Sequence, residues 1–184
     1  MIGTPQHKLL LKPEEFTTIK GIIDPLLARG ETSDSPQFAV VMGGVGSGKT
    51  TTRRKDYSDG YVQFDYGEIQ IAIQNSFGDD HPNISGFTRL ASLLIFNEAI
   101  NKKKNIVIEI IGDDKVSIEP VIDNMLALGY KVKMNLVECD PAEAYKRHLK
   151  AVDEDKDYIS AYYTQGATLS YFYDRFKIKG KEES

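Results

Sequence analysis

The sequence predicts an α/β protein in three layers, a parallel sheet with helices on both faces, and three observations carry that prediction. Short apolar, β-prone runs at 38–42, 61–65, 106–111 and 131–137 alternate with stretches of helical periodicity. The third run, Ile106-Val107-Ile108-Glu109-Ile110-Ile111, is apolar except for Glu109, as expected of a strand covered on both sides. The first run, Phe38-Ala39-Val40-Val41-Met42, leads directly into Gly43-Gly44-Val45-Gly46-Ser47-Gly48-Lys49-Thr50, which fits G-x-x-x-x-G-K-[ST] at every fixed position, and Thr50 to Lys55 follow as helix. Strand, loop and helix in that order are the context a phosphate-binding loop requires.

The chain of 184 residues is long enough for one well-buried core, and a single domain over 1–184 is expected: an N-terminal docking helix and linker at 1–37, a core at 38–176 and a tail at 177–184. A net charge of -4 gives no general attraction to nucleic acid or anionic membrane, which leaves a small molecule or a specific protein as partner. Cys139 is the only cysteine, which excludes an intrachain disulfide framework and fits a reducing compartment. With no apolar run of about 18 residues and no signal-peptide pattern, the expected location is cytoplasmic.

In chain order, Lys12-Pro13-Glu14-Glu15 opens a helix on which Phe16, Ile19, Ile23 and Leu27 recur at helical spacing until Gly30, with Pro25 expected to bend or shorten it. After the loop helix, Tyr61-Val62-Gln63-Phe64 is a short strand ending in Asp65, and Ile69, Ala72, Ile73 and Phe77 mark the next helix. The turn Gly78-Asp79-Asp80-His81-Pro82-Asn83 is ordinary turn chemistry rather than a metal site, although His81 could face a substrate. Residues 85–100 carry too wide an apolar face for a surface helix. A helix at 117–128 ends at Gly129 as a left-handed cap, and 131–137 is the fourth strand, alternating Val132, Met134 and Leu136. Asp140-Pro141-Ala142-Glu143 is a helix start with Asp at the N-cap and Pro at the first position; Tyr145, Leu149 and Val152 form the expected apolar line. A Tyr-rich helix is expected over 158–176.

The candidate chemistry centres on residues 43–51, Gly43, Gly44, Val45, Gly46, Ser47, Gly48, Lys49, Thr50 and Thr51, as the nucleotide-binding set. Glycines let successive N–H groups turn toward phosphates, Lys49 reaches the β- and γ-phosphates, and the Thr50 hydroxyl can sit on Mg²⁺. In an open α/β sheet, ligands bind beyond the carboxyl ends of the strands, so Asp65 is placed to take a proton from an attacking hydroxyl; alternatively, it simply caps the following helix, with Glu68 three residues on. Glu109 needs a cation or a polar partner to be buried in its strand, and the Mg²⁺ shell or substrate would supply one, with Asp113 a competitor for the metal. Glu68 and Arg89 are candidate acceptor contacts, Arg89 being suited to a phosphate or carboxylate if it is not merely a solvated charge. Arg147, about 200° round its helix from Tyr145, is either part of a solvated face with Lys146 and Lys150 or a guanidinium acting over the phosphates.

The run from Val40 to Lys150 resembles the P-loop kinases of the zeta-toxin type. The likeness rests on Gly43-Gly44-Val45-Gly46-Ser47-Gly48-Lys49-Thr50-Thr51, an Asp after the second strand, a His-Pro pair, the Ile106-Val107-Ile108-Glu109 strand, Leu128-Gly129-Tyr130-Lys131-Val132 and a helix carrying Arg147. The resemblance implies a kinase-type P-loop fold, ATP and Mg²⁺ as cofactors, phosphorylation of UDP-N-acetylglucosamine and neutralisation by an antitoxin protein. It also implies Lys49 and Thr50 at the phosphates and metal, Asp65 as base, Glu109 at metal or substrate, and Arg147 on a lid. Two departures lie on the acceptor side: Tyr66-Gly67-Glu68 stands where the family has Phe-Arg soon after its Asp, with His81-Pro82 sixteen residues after Asp65, and Glu109-Ile110-Ile111 stands where the family has Glu-Gly-Thr. The function class that competes with a phosphotransferase is a nucleotide-gated switch acting on a protein partner.

Overall fold

The computed structural model describes residues 11–111 and 115–154, with the side chains of 115–117 left aside. Elements run α1 (Pro13–Ala28), β1 (Gln37–Met42), α2 (Lys49–Asp56), β2 (Val62–Phe64), α3 (Tyr66–Phe77), α4 (Ile84–Asn101), β3 (Ile106–Ile110), α5 (Lys115–Ala127), β4 (Lys131–Leu136) and α6 (Pro141–Glu154). The four strands form one sheet in the order β2-β3-β1-β4, all parallel. The loop strand β1 therefore lies inside the sheet, and the carboxyl ends of β1, β2 and β3 meet along one edge.

Strand alternation divides the layers. Phe38 and Val40 of β1, Ile106 of β3 and Val62 of β2 face a cluster with Ile19, Ile23 and Leu27 of α1, Ile69 and Ile73 of α3, Phe87, Ala91 and Ile95 of α4 and Met125 of α5. Ala39 and Val41 with Val107 face the other way, against Tyr57 at the end of α2. Gln63, Glu109 and Asn135 share that second face by register, so the polar strand residues point toward α2. Ile19 and Ile23 are fully buried, which at about 1.5–3 kcal/mol per side chain makes α1 part of the core it docks on. Glu15 accepts the Lys12 N–H at 2.8 Å to close the start of that helix.

Three local expectations change. Pro25 does not end α1, which continues to Ala28; the carbonyl its missing N–H would have used belongs to Gly21, where nothing crowds the helix. The fully buried residues of α6 are Ala144 and His148; of the expected line Tyr145 is half-buried against Val45 and Ala144, whereas Leu149 is 45% exposed, because the helix rests on the phosphate loop rather than on an apolar sheet face. As the edge strand, β4 leaves Met134 and Leu136 exposed. Gly129 takes the expected left-handed conformation after α5. The helix expected over 158–176 and the tail lie outside the described residues, and among those described no helix is long and apolar enough to cross a membrane.

Candidate active site

β1 hands the chain to the loop at the centre of the carboxyl edge. Gly43 N–H donates to Ile110 carbonyl at 3.3 Å and Val137 N–H donates to Met42 carbonyl at 2.7 Å, tying the loop entrance to both neighbouring strands' ends. Gly46 and Gly48 adopt φ of +72° and +103°, open to glycine and strained for other residues. Gly48 is the N-cap of α2, and Lys49 is its first residue. The free N–H groups of that helix start present positive charge to an anion. Thr51 is exposed on the first turn, and Val45 is buried against Ala144. Lys49 donates from Nζ to Gly44 carbonyl at 2.7 Å and is 8% exposed. Burial pushes its ammonium below the ordinary lysine value, with the charge of Glu109 working against that. Among the described residues Ser47 Oγ is buried with no hydrogen-bond partner, an orphan that a phosphate oxygen would satisfy.

The start of α6 closes over this loop. Asp140 Oδ1 accepts the N–H groups of Ala142 at 3.0 Å and Glu143 at 3.1 Å, the capping expected from Asp-Pro-Ala-Glu. That cap aims the first turn so that a Cβ on Gly46 would fall on the carbonyl of Ala144. One turn further along, Arg147 brings a guanidinium nitrogen to 3.8 Å of the place a Cβ on Gly48 would occupy. Arg147 is half exposed and pairs with Glu143 at 3.3 Å, so it is both a surface ion pair and a cation beside the loop.

The centre of the site is a residue that motif reading passed over. Arg53, one turn after Lys49 on α2, is fully buried, and its guanidinium joins three elements. Its Nε donates to Glu109 Oε1, one terminal nitrogen donates to Gln63 Oε1 at 2.6 Å, and the other donates to Asp65 Oδ2 at 2.6 Å and Glu68 Oε1 at 3.2 Å. Burial opposes the Arg53 charge, but the hydrogen bond to Glu109 and the surrounding carboxylates outweigh it and hold the guanidinium above its ordinary value. Glu109 thereby keeps its second oxygen for the Thr50 hydroxyl, which donates to it at 3.0 Å. The signal available in the sequence was the cost of burying Glu109: its strand faces α2, and the only cations one or two turns into that helix are Arg53, Arg54 and Lys55.

With this geometry in view, a family comparison is decisive: the Zeta toxin model matches residues 25–161. The chain belongs to the Zeta toxin family. Its fold is similar to that of a chain from the PezAT chromosomal toxin-antitoxin system of Streptococcus pneumoniae, at 18% identity over 81% of this chain and 68% of that one, with a TM-score of 0.57. It is also similar to a chain of the AvrRxo1-ORF1:-ORF2 complex, at 16% identity over 90% and 60%, TM-score 0.58. A chain of the Pnkp1/Rnl/Hen1 RNA repair complex matches at 18% identity over 81% and 49%, TM-score 0.51. This Zeta toxin family chain thus spans 60% and 49% of the last two relatives, less than two thirds of either. No curated protein matches it. Family and fold together support P-loop phosphotransferase chemistry.

Of the residues expected at the site, the structure joins Thr50, Asp65, Glu68 and Glu109 into one group through Arg53, while Lys49 rests on the Gly44 carbonyl and Arg147 lies beside the loop. Asp65 takes the capping geometry: its Oδ1 accepts the N–H groups of Gly67 and Glu68, both at 3.1 Å, while Oδ2 meets Arg53. Burial pushes its carboxyl above the ordinary value, partly offset by Arg53. Arg89 is exposed on α4, and no hydrogen bond or ion pair joins it to this group. His81 packs its ring on Phe87 and Phe77, at 5.2 and 5.6 Å between centroids, which is a packing role. Asp113 lies outside the described residues.

Proposed function

We propose that this Zeta toxin family chain transfers the γ-phosphate of ATP to a hydroxyl of a small acceptor, with Mg²⁺. The observation that carries the reading is the join between Thr50, Glu109, Arg53 and the Asp65–Glu68 pair at the mouth of the loop. Binding and hydrolysing a nucleotide calls for the loop, Thr50 and one carboxylate; two further carboxylates held beside them suit an enzyme that must accept a proton from a second substrate. The loop N–H groups, Ser47 and the start of α2 would hold the phosphates, and Lys49 would leave Gly44 carbonyl for the β- and γ-phosphates. The Thr50 hydroxyl and Glu109 carboxylate, hard oxygens 3.0 Å apart, fit Mg²⁺, whose part when bound is to neutralise phosphate charge. Arg147 would neutralise charge on the transferred group from above the loop. The acceptor would be anionic or nucleotide-linked, with UDP-N-acetylglucosamine the first candidate from the family and Arg89 offered as its phosphate contact. The AvrRxo1-ORF1:-ORF2 complex supports a protein partner, and the PezAT toxin-antitoxin relative supports an antitoxin in that place.

Calorimetric titration of ATP tests the first half: Lys49→Ala should abolish binding while leaving the unfolding midpoint near that of the unsubstituted chain. Retained micromolar affinity in the variant refutes it. ATP consumption screened against sugar nucleotides, nucleosides, oligonucleotides and sugar acids tests the second. Stimulation by a neutral sugar, undiminished in Arg89→Ala, would refute the anionic acceptor.

A further inference from the structure

Two carboxylates meet Arg53, one turn into the helix that follows the loop, and their surroundings divide the work between them. Asp65 is 3% exposed, with Oδ1 spent on two backbone N–H groups and Oδ2 on the buried Arg53. Turning it toward an acceptor would uncap α3 and leave Arg53 short of a partner at the same time. Glu68 stands on the first turn of α3 with its side chain 29% exposed. Its Oε1 accepts from Arg53 at 3.2 Å and Arg54 at 2.9 Å, and its Oε2 accepts no hydrogen bond among the described residues.

We propose that Glu68, and not Asp65, takes the proton of the attacking hydroxyl, and that Asp65 acts through Arg53 as a positioning residue. The assignment rests on the phosphotransferase reading above. In the step, the acceptor O–H proton passes to Glu68 Oε2 while the acceptor oxygen bonds to the γ-phosphorus. The bond from that phosphorus to the β,γ-bridging oxygen breaks, its electron pair departs with ADP, and the proton leaves Glu68 for water through its exposed side. Burial works against ionisation of Glu68, but Arg54 and Arg53 outweigh it and hold the carboxyl below its ordinary value, so Glu68 is a carboxylate able to take the proton at neutral pH. A weak base suffices, because a loose phosphoryl-transfer transition state asks mainly that the hydroxyl be oriented.

The test uses the full chain with MgATP, UDP-N-acetylglucosamine as acceptor and water as the reference acceptor in ATP hydrolysis. Glu68→Gln should lower kcat by about 10²–10⁴, the usual range for a lost general base, with ATP affinity by calorimetry within about twofold. Formate or acetate should restore part of the rate to Glu68→Ala, which a merely structural residue would not show. Asp65→Asn should lower the unfolding midpoint more than Glu68→Gln does; measured well below that midpoint, its transfer should fall by less than about tenfold, with no rescue by formate. A folded Asp65→Asn variant that loses transfer by about 10² or more, beside a Glu68→Gln variant at nearly full rate, overturns the assignment alone. Failure of the unsubstituted chain to bind ATP overturns the phosphotransferase reading and this assignment with it.

Discussion

Replacing Arg53 by Met keeps the length and apolar stem of a fully buried side chain and removes the one charge that Asp65, Glu68 and Glu109 share. Arg54 still faces Glu68 at 2.9 Å, so that carboxylate keeps a cation, whereas the buried Asp65 side chain, 1% exposed, loses its guanidinium. Breaking a buried pair from one side costs about 3–5 kcal/mol, because the surviving charge is left without its partner. For a chain of this size each kcal/mol moves the thermal midpoint by about 2–4 °C, so a drop of about 6–20 °C is expected. Linkage supplies a second signature. Without Arg53, the Asp65 carboxyl in the folded state rises further above its unfolded value, so the penalty is full at neutral pH and shrinks as pH falls into the carboxylate range and Asp65 protonates. Unfolding followed by circular dichroism at pH 7 and pH 5 measures both effects. A midpoint shift of less than about 2 °C, or a penalty that does not shrink at the lower pH, would refute the view that Arg53 holds the site together by charge.

Gly46→Ala puts a Cβ on the Ala144 carbonyl and holds a non-glycine residue at φ +72°, which costs about 1–2 kcal/mol before α6 is displaced; the variant should unfold earlier and bind ATP weakly, as thermal unfolding and calorimetry would report. Arg147→Ala loses only a surface pair of about 0.3–0.5 kcal/mol, so the midpoint should hardly move, while steady-state kinetics should show kcat lower by about 10³ with KM for ATP little changed. His148 on α6 is buried, and burial depresses its imidazole below 6.5. Because the unfolded chain then binds the proton more readily, stability should be constant at higher pH and fall as pH drops from about 6.5 toward the folded value; His148→Leu should remove that slope in urea titrations.

The sequence by itself determined the order of strands and helices, the loop and the starts of its flanking helices, because each is a local matter. Apolar period, glycine at positive φ and the Asp-Pro cap of α6 act within a few residues. It also marked Glu109 as needing a partner, from the cost of a carboxylate in an apolar strand. What only the tertiary structure decided is which cation answers. Arg53 looks like any solvated helix residue until β2 and β3 lie side by side under α2 and bring Gln63, Asp65 and Glu109 around it, residues far apart in the chain. The same holds for Asp65, whose end-of-strand position suits a base or a cap equally well and whose burial against Arg53 is a fact of packing. It holds again for α6, whose apolar line was read as Tyr145, Leu149 and Val152 but whose fully buried residues are Ala144 and His148, because the surface it meets is the loop, where Gly46 admits the Ala144 carbonyl and Val45 packs on the same turn. Periodicity reports which side of a helix is apolar, whereas the shape of the partner surface decides which side is covered.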